Sequence, residues 1–151
     1  MSRTTVVCPV SSERINENVA RIAAFFVIII TITGVCFNMP FLIAALAVDF
    51  YLRAFTKGKY SPIKVLARRF GQYIGVGSKP ADAAPKKFAA GIGLLFTIAI
   101  ANLQWFGFTI LADSLGTVLL LCAALESFFG YCLGCVIYTY TVAPFFNKAN
   151  S

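Results

Sequence analysis

The sequence predicts an all-α polytopic membrane protein with four transmembrane helices and one amphipathic helix at the cytoplasmic surface. Of its 151 residues, 59% are hydrophobic and 13% are charged, whereas an average soluble domain carries about 25% charged residues. Uncharged runs cover residues 22–48 and 88–112, and Glu126 alone interrupts the run 114–147. Runs of roughly 18 or more apolar residues are typical of membrane-spanning helices, so the composition and the runs indicate the same class.

The uneven distribution of positive charge predicts the orientation. The net charge is +7, and the basic residues gather in the first 21 residues and in the segment 56–87, whereas segments 36–40 and 105–114 contain none. Because loops rich in Lys and Arg remain in the cytoplasm, we expect both termini on the cytoplasmic side of a bacterial inner membrane. Membrane lipids are expected partners, and nucleic acid is not.

The first half of the membrane domain is predicted to be a helical hairpin. A cytoplasmic tail, residues 1–18, precedes a membrane domain of residues 19–145, whose first two spans cover residues 19–37 and 41–55. Asn38 and Pro40 between them favour a turn, since proline ends or restarts a helix. The second span covers only about 22 Å of a hydrocarbon core near 30 Å thick. The alternative is one kinked span over residues 22–48, which would reverse the orientation of everything after it.

The basic loop, residues 56–87, is predicted to contain an interfacial helix. Ser61 is a suitable N-cap, and Pro62 suits the first helical position. An apolar stripe at spacings of three and four should enter the lipid boundary, while cations beside it contact headgroups. The stripe is Ile63, Leu66, Phe70 and Tyr73, and the cations are Lys64, Arg68 and Arg69. Spans three and four are predicted at residues 88–106 and 115–138, before a C-terminal tail of residues 146–151.

Two cysteines near the C-terminus are the main candidates for chemistry. Cys132 and Cys135 are three residues apart, so within span four they would share a helix face, with α-carbons about 5 Å apart and within disulfide range. They would lie near the cytoplasmic C-terminal end of that helix, whose partial negative charge disfavours a thiolate. This position is compatible both with thiol chemistry and with inert cysteines.

The chain has no histidine, which removes the commonest general base and the usual haem and catalytic zinc ligand. No cofactor is expected. Cys8, on the same predicted side as Cys132 and Cys135, would complete a set of three soft ligands that suits Cu(I) or zinc. We rank this metal site below thiol exchange and predict none.

Charged residues inside the predicted spans are the next candidates, because such residues face protein or water rather than lipid. Asp49 and Arg53 are four residues apart and can pair along one helix face. Glu126 points about 150° away from the cysteine pair on a continuous span four, so the two should not form one site on that helix. We expect Glu126 to face span two or three, near Arg53, Asn102 or Gln104.

Several fragments together resemble a bacterial integral-membrane family, the domain-of-unknown-function 4395. They are "CP" at residue 8, "VDFYLRAF" at 48–55, "SP" at 61–62, "KFAAGIGLLF" at 87–96 and "LESFFGYCLGC" at 125–135. The resemblance implies motif positions at Cys8, Cys132, Cys135, Asp49, Arg53 and Glu126. Related small membrane proteins occur beside thioredoxin-like or rhodanese-like domains, which implies thiol or sulfane-sulfur handling with a separate redox partner.

Three functions therefore remain open. The first is thiol–disulfide exchange or sulfane-sulfur handling by Cys132 and Cys135 at the cytoplasmic surface, with Cys8 attacking or resolving and Arg53, oriented by Asp49, stabilising the thiolate. The second is transport of a small sulfur species or ion along Asp49, Arg53 and Glu126. The third is a structural subunit of a homo-oligomer or of a larger membrane complex.

Overall fold

The computed structural model describes residues 14–56 and 59–149 and is helical over most of them. The helices are α1 (Glu17–Cys36), α2 (Pro40–Phe55), α3 (Pro62–Ile74), α4 (Ala83–Trp105), α5 (Thr109–Ala124), α6 (Leu133–Thr141) and α7 (Ala143–Ala149). A π-helical segment, Leu125–Phe129, continues α5. Two three-residue strands, β1 (Arg14–Asn16) and β2 (Pro80–Asp82), pair with each other. The predicted all-α class is confirmed.

Three helical stretches of the described chain are long and apolar enough to cross a membrane, with mean hydropathies between 1.6 and 2.3. They are Glu17–Cys36, Ala83–Trp105 and Thr109–Phe129, and a shorter apolar stretch covers Leu133–Phe145. The helix α2 has 16 residues, which extend over about 24 Å, less than the thickness of a hydrocarbon core. The class of helical membrane protein is confirmed, and the crossing by α2 stays a prediction.

Helices α1 and α2 form the expected hairpin rather than one kinked helix. Between them, the backbone N–H of Met39 donates to the carbonyl of Gly34 across 2.9 Å. The two helices approach closely at Gly34, where a Cβ atom would lie 2.5 Å from Cδ1 of Ile43. The turn therefore depends on a residue without a side chain as well as on Asn38 and Pro40.

We call the end of the bundle that holds the turns 37–39 and 106–108 the neutral end. The second turn joins α4 to α5 there. The side chain of Gln104, near the end of α4, is buried and donates through Nε2 to the carbonyl of Gly34 across 3.1 Å. This hydrogen bond ties the two helical hairpins together at the neutral end.

We call the opposite end, where α1 and α4 begin, the basic end. There β1 and β2 run antiparallel, with Arg14 opposite Asp82, so the starts of α1 and α4 are held side by side. The C-terminal half of α2 reaches the same end, because the ring of Phe50 fills the space beside Gly93 of α4. Buried apolar residues of α1, α2, α3 and α4 form one core cluster at this end, including Val19, Ala23, Leu46, Phe50 and Ala67.

Helix α3 begins as predicted, and its contact with lipid through the predicted apolar stripe stays a prediction. The Ser61 hydroxyl caps it by accepting from the N–H of Lys64 across 3.2 Å. The residues buried against the bundle are Ile63, Ala67 and Gly71, whereas Leu66, Phe70 and Tyr73 of the predicted stripe are exposed. Small residues let α3 lie close to α1, where Cδ1 of Ile22 is 3.3 Å from the Cβ position of Gly71.

The predicted fourth span, residues 115–138, is not one helix. Helix α5 begins earlier, at Thr109, and its π-helical extension stops at Gly130, which has a φ of +68°. That left-handed conformation suits glycine and ends the helix. A new helix, α6, starts at Leu133. The expectation failed because the sequence stays apolar through the break, and hydrophobicity alone does not distinguish a continuous helix from two helices.

Candidate functional site

The helix break brings the two cysteines to the start of α6. The α-carbons of Cys132 and Cys135 are 5.1 Å apart, and the two sulfur atoms lie at disulfide distance. Cys132 is the N-cap of α6, and its Sγ accepts a hydrogen bond from the backbone N–H of Cys135 across 3.2 Å. The expectation that the pair lies at a helix C-terminus is therefore wrong. A helix N-terminus carries partial positive charge, which favours an ionised thiolate.

Residues of α1 hold the segment that precedes the cysteines. Arg21 donates through Nη2 to the carbonyl of Phe128 across 3.3 Å. A Cβ atom at Gly130 would lie 3.0 Å from Oε1 of Glu17 and 3.1 Å from Nε of Arg21. Both the positive φ and the close packing therefore require glycine at position 130. Through these contacts the cysteine pair lies at the basic end of the bundle.

Helix α6 packs against the start of α4. At Gly134, between the two cysteines, a Cβ atom would lie 2.5 Å from Cβ and 2.7 Å from Cα of Ala89. One turn further along α6, the rings of Tyr138 and Phe88 have centroids 5.6 Å apart. Ala89 and Gly93 are four residues apart, a spacing of small residues that allows helices to approach closely, and Ala89 makes such a contact with Gly134.

One side of the cysteine pair faces an open groove of about 470 Å³. Cys132 and Cys135 both line it, together with Lys86 and Glu17, which supply charges of opposite sign. Exposed aromatic residues, Tyr131 and Tyr140, also border the groove. The pair is thus accessible to a thiol or a disulfide that approaches along the surface of the protein.

The other side of Cys132 borders a cavity of about 300 Å³ inside the bundle. Apolar side chains line most of it, and its polar or reactive lining residues are Arg53, Glu126, Cys122 and Cys132. The expectation that Glu126 and the cysteines cannot share one site was derived for a continuous helix. The break at Gly130 removes that premise, because it allows Cys132 to turn back toward the cavity that Glu126 also lines.

Glu126 forms an ion pair with a residue that the sequence analysis counted only as a loop cation. Its Oε1 is 4.0 Å from Nζ of Lys86 on α4. Asn102 and Gln104, expected as partners, instead donate to the carbonyls of Ile98 and Gly34. Pro85 is the signal that could have placed Lys86 in a helix rather than in the loop. Proline is common in a first helical turn, so Pro85 would have predicted that α4 starts before residue 86.

Asp49 and Arg53 pair as their spacing suggests, with Arg53 Nε 2.7 Å from Asp49 Oδ2. The other oxygen of Asp49 accepts from the Ser61 hydroxyl across 2.5 Å and from the Ile63 N–H across 3.1 Å. Asp49 is therefore occupied in attaching the start of α3 to α2. Arg53, in contrast, lies against the ring of Phe50 and lines the cavity.

Comparison with known proteins addresses the resemblance noted in the sequence. The model of the family described as "Domain of unknown function (DUF4395)" matches residues 15–142. The chain belongs to this family. No curated protein and no solved structure matches the chain. The matched range of this DUF4395 protein contains Cys132, Cys135 and the three charged candidates Asp49, Arg53 and Glu126, whereas Cys8 precedes it.

The other cysteines and the surface cations of the DUF4395 chain are not part of the disulfide-distance pair. Cys36 is exposed at the neutral end, and Cys122 lines the cavity. Cys8 falls outside the described residues. Within residues 14–56 and 59–149, no three Cys, Asp or Glu side chains gather closely enough to hold a metal ion. Arg68 and Arg69 are exposed on α3, and Lys64 is half-buried.

Proposed function

We propose that this membrane protein carries out thiol–disulfide exchange at the Cys132–Cys135 pair. The observation that carries the proposal is that both sulfurs lie at disulfide distance at the start of α6, with Cys132 as its N-cap. In proteins, such positions are favourable for a reactive thiolate. The same pair could also hold a sulfane sulfur, but its pairing geometry favours cycling between a dithiol and a disulfide.

Cys132 is the attacking residue of the pair. Its sulfur accepts the Cys135 N–H, and negative charge on that sulfur strengthens such a hydrogen bond. In one direction, the Cys132 thiolate attacks a sulfur of a partner disulfide and releases the partner's second cysteine as a thiolate. The Cys135 thiolate then attacks Cys132, forms the internal disulfide and releases the reduced partner. Two electrons pass to the partner, and its two sulfurs take up protons.

The open groove supports access by a protein partner. The exposed rings of Tyr131 and Tyr140 border the groove and offer an apolar surface for docking. Lys86 and Glu17 also line it and provide charges of opposite sign. A thioredoxin-like or rhodanese-like domain is the expected partner. Cys8 lies six positions before Arg14, where β1 begins. Cys8 precedes the described residues, and its part in the exchange stays a prediction.

The charge distribution supports a cytoplasmic location for the site. The helix α3, with Arg68 and Arg69, packs on α1 near the basic end, and Lys79 and Lys86 lie at that end too. The turns at the neutral end, residues 37–39 and 106–108, contain no Lys or Arg. By the positive-inside rule, the basic end faces the cytoplasm of the bacterial cell, and the groove opens there.

The test is a redox titration of the purified protein in detergent. After equilibration in glutathione buffers of stepped potential, free thiols are counted by mass shift with a maleimide–polyethylene glycol reagent. We expect Cys132 and Cys135 to lose two labels together in one two-electron transition. Cys36→Ser and Cys122→Ser are the matched controls and should each lower the label count by one without moving the transition. A pair that stays reduced in every buffer would end the proposal.

A further inference from the structure

The cavity behind Cys132 is lined mostly by apolar side chains, as expected for a site that binds an apolar ligand. Its volume is about 300 Å³, and side chains from five helices line it. The apolar lining includes Val27, Ile92, Phe96, Leu119, Leu133 and Ile137. Ligand sites in proteins are typically concave and mostly apolar, with a few polar groups that orient the ligand.

The cavity is also reachable from the hydrocarbon side of the bundle. Val118 on α5 is 44% exposed and Ile137 on α6 is 47% exposed, and both belong to the cavity lining. Residues that are at once lining and surface mark an opening, here between α5 and α6. Since α5 is long and apolar enough to lie in a membrane, a lipid-soluble molecule can enter without crossing a polar surface.

The polar groups of the cavity lie toward the basic end. Arg53 forms its ion pair with Asp49 through Nε. Its Nη2 is buried and has no hydrogen-bond acceptor within the described part of the chain. A buried donor without a partner is unfavourable, and a ligand oxygen beside Arg53 would supply the missing acceptor. A hydrocarbon tail alone has no such oxygen, so it would fill the cavity without using this group.

We propose that the cavity binds a membrane quinone, which takes two electrons from the Cys132–Cys135 dithiol. This inference rests on the proposed thiol–disulfide function in its reverse direction, in which a partner dithiol reduces the Cys132–Cys135 disulfide, and it names the oxidant that renews that disulfide. A quinone combines an apolar ring with carbonyl oxygens that accept hydrogen bonds, and it accepts two electrons. The apolar ring matches the apolar walls, a carbonyl oxygen can accept from Arg53, and the two electrons come from the cysteine pair.

The reaction balances with the groups present. The Cys132 thiolate attacks a ring carbon, and the electron pair moves to a carbonyl oxygen, beside which Arg53 donates a hydrogen bond. The Cys135 thiolate then attacks the sulfur of Cys132. The S–S bond forms, the S–C bond breaks, and its electron pair stays on the ring. The two protons of the thiols end on the two ring oxygens, which gives one disulfide and one quinol.

The test uses the full chain in detergent, reduced and then freed of reductant without oxygen. Decylubiquinone is the probe, because its fully substituted ring does not alkylate stray thiols. Its absorbance reports quinone reduction, and maleimide labelling reports the state of the pair. We expect one quinone to be reduced for each pair oxidised, and no reduction by the Cys132→Ser, Cys135→Ser variant.

Two surface variants separate binding in the cavity from a general effect of substitution. Val118→Trp places a large ring at the opening and should slow quinone reduction about tenfold or more, as expected when a site can no longer admit its ligand. Val48→Trp, on an exposed position of α2 outside the cavity, should leave the rate unchanged. Neither substitution should alter exchange of the pair with glutathione.

The outcomes distinguish this inference from the function on which it rests. If the pair exchanges with glutathione but reduces no quinone, or if Val118→Trp and Val48→Trp reduce quinone equally fast, the quinone site is refuted and the exchange function stands. If the pair exchanges with neither reagent, both are refuted. Quinone reduction that depends on both cysteines and on an open cavity supports both.

Discussion

The backbone N–H of Cys135 points at the sulfur of Cys132 across 3.2 Å. This contact makes the two cysteines unequal, because one sulfur caps a helix and the other lies within its first turn. A negative charge is more favourable on the capping atom. The predictions about the pair follow from that asymmetry.

The first prediction concerns trapping of a mixed disulfide. Cys135→Ser should leave Cys132 without its resolving partner. A single-cysteine thioredoxin whose thiol is first converted to the thionitrobenzoate mixed disulfide should then form a stable covalent adduct with Cys132, and thionitrobenzoate leaves as the thiolate. Cys132→Ser should form about tenfold less adduct, because Cys135 lacks the cap position. Non-reducing gel electrophoresis measures both. Serine is a good N-cap, so Cys132→Ser should retain the stability of the parent. Equal trapping by the two variants would contradict the assignment of Cys132.

The second prediction concerns the close contact of α6 with α4. Gly134→Ala adds a Cβ atom 2.5 Å from that of Ala89, and such overpacking costs about 1–3 kcal/mol. The shift should appear as a lower thermal unfolding temperature in detergent. Gly91→Ala is the matched control on α4, because nothing lies within 4 Å of its Cβ position. A Gly134→Ala protein as stable as the Gly91→Ala protein would exclude this packing of α6.

The third prediction concerns Asp49. Asp49→Ala removes the acceptor of the Ser61 hydroxyl and the Ile63 N–H and leaves Arg53 without its counter-ion. Removing one member of a buried ion pair costs about 3–5 kcal/mol, so unfolding should occur at a lower temperature and protease should cut the α2–α3 connection sooner. Asp113→Ala, at an exposed position of α5, should change neither measurement. Equal behaviour of the two variants would remove the structural role of Asp49.

The fourth prediction concerns α3 and the membrane surface. Its exposed side presents Leu66, Phe70 and Tyr73 on one flank and Arg68 on another. If the helix lies at the interface with its apolar flank in lipid, a spin label at position 66 should be reached by oxygen. A label at position 68 should be reached by a water-soluble nickel complex. The measurement needs a chain without other accessible cysteines, and the same accessibility at both positions would place α3 away from the interface.

The fifth prediction concerns orientation. Cys36 is exposed at the neutral end, so a membrane-impermeant maleimide should label it on intact spheroplasts. Reduced Cys132 and Cys135 should react only after the membrane is opened. Cys36→Ser serves as the control that identifies the labelled site. Labelling of the cysteine pair on intact cells would reverse the topology.

The class of the protein, the α1–α2 hairpin and the start of α3 follow from local signals: long apolar runs, the segment around Asn38 and Pro40, and Ser61 before Pro62. The site does not follow in the same way. Gly130 lies in an apolar run, and its role depends on Glu17 and Arg21, which are more than a hundred positions away in the chain. The local sequence pattern does not indicate that contact. From the pattern alone, Gly130 is equally compatible with a packing residue inside one continuous helix.

The face that α3 packs against the bundle shows a second limit. Spacing identified the stripe Ile63, Leu66, Phe70 and Tyr73 as the side that meets lipid, but it did not identify Ala67 and Gly71 as residues that meet protein. Here Ala67 and Gly71 face the bundle because α3 approaches α1 too closely for bulkier side chains. The large residues then remain outside, where lipid can cover them. In a membrane, both sides of such a helix can be apolar, and periodicity alone does not say which side meets protein.

The π-helical segment makes the number of residues between α5 and α6 a structural requirement. A π turn holds one more residue than an α turn, so deleting a single residue from Leu125–Phe129 would restore regular α-helical geometry. The chain that follows the deletion would then rotate by about 100° about the α5 axis and shift by about 1.5 Å along it. Deletion of Ser127, for example, would turn the cysteine pair away from Lys86 and Arg53 while leaving Glu126 and both cysteines in the chain. Length variation in this stretch is therefore expected to be far less tolerable than in the loop that connects α3 with β2.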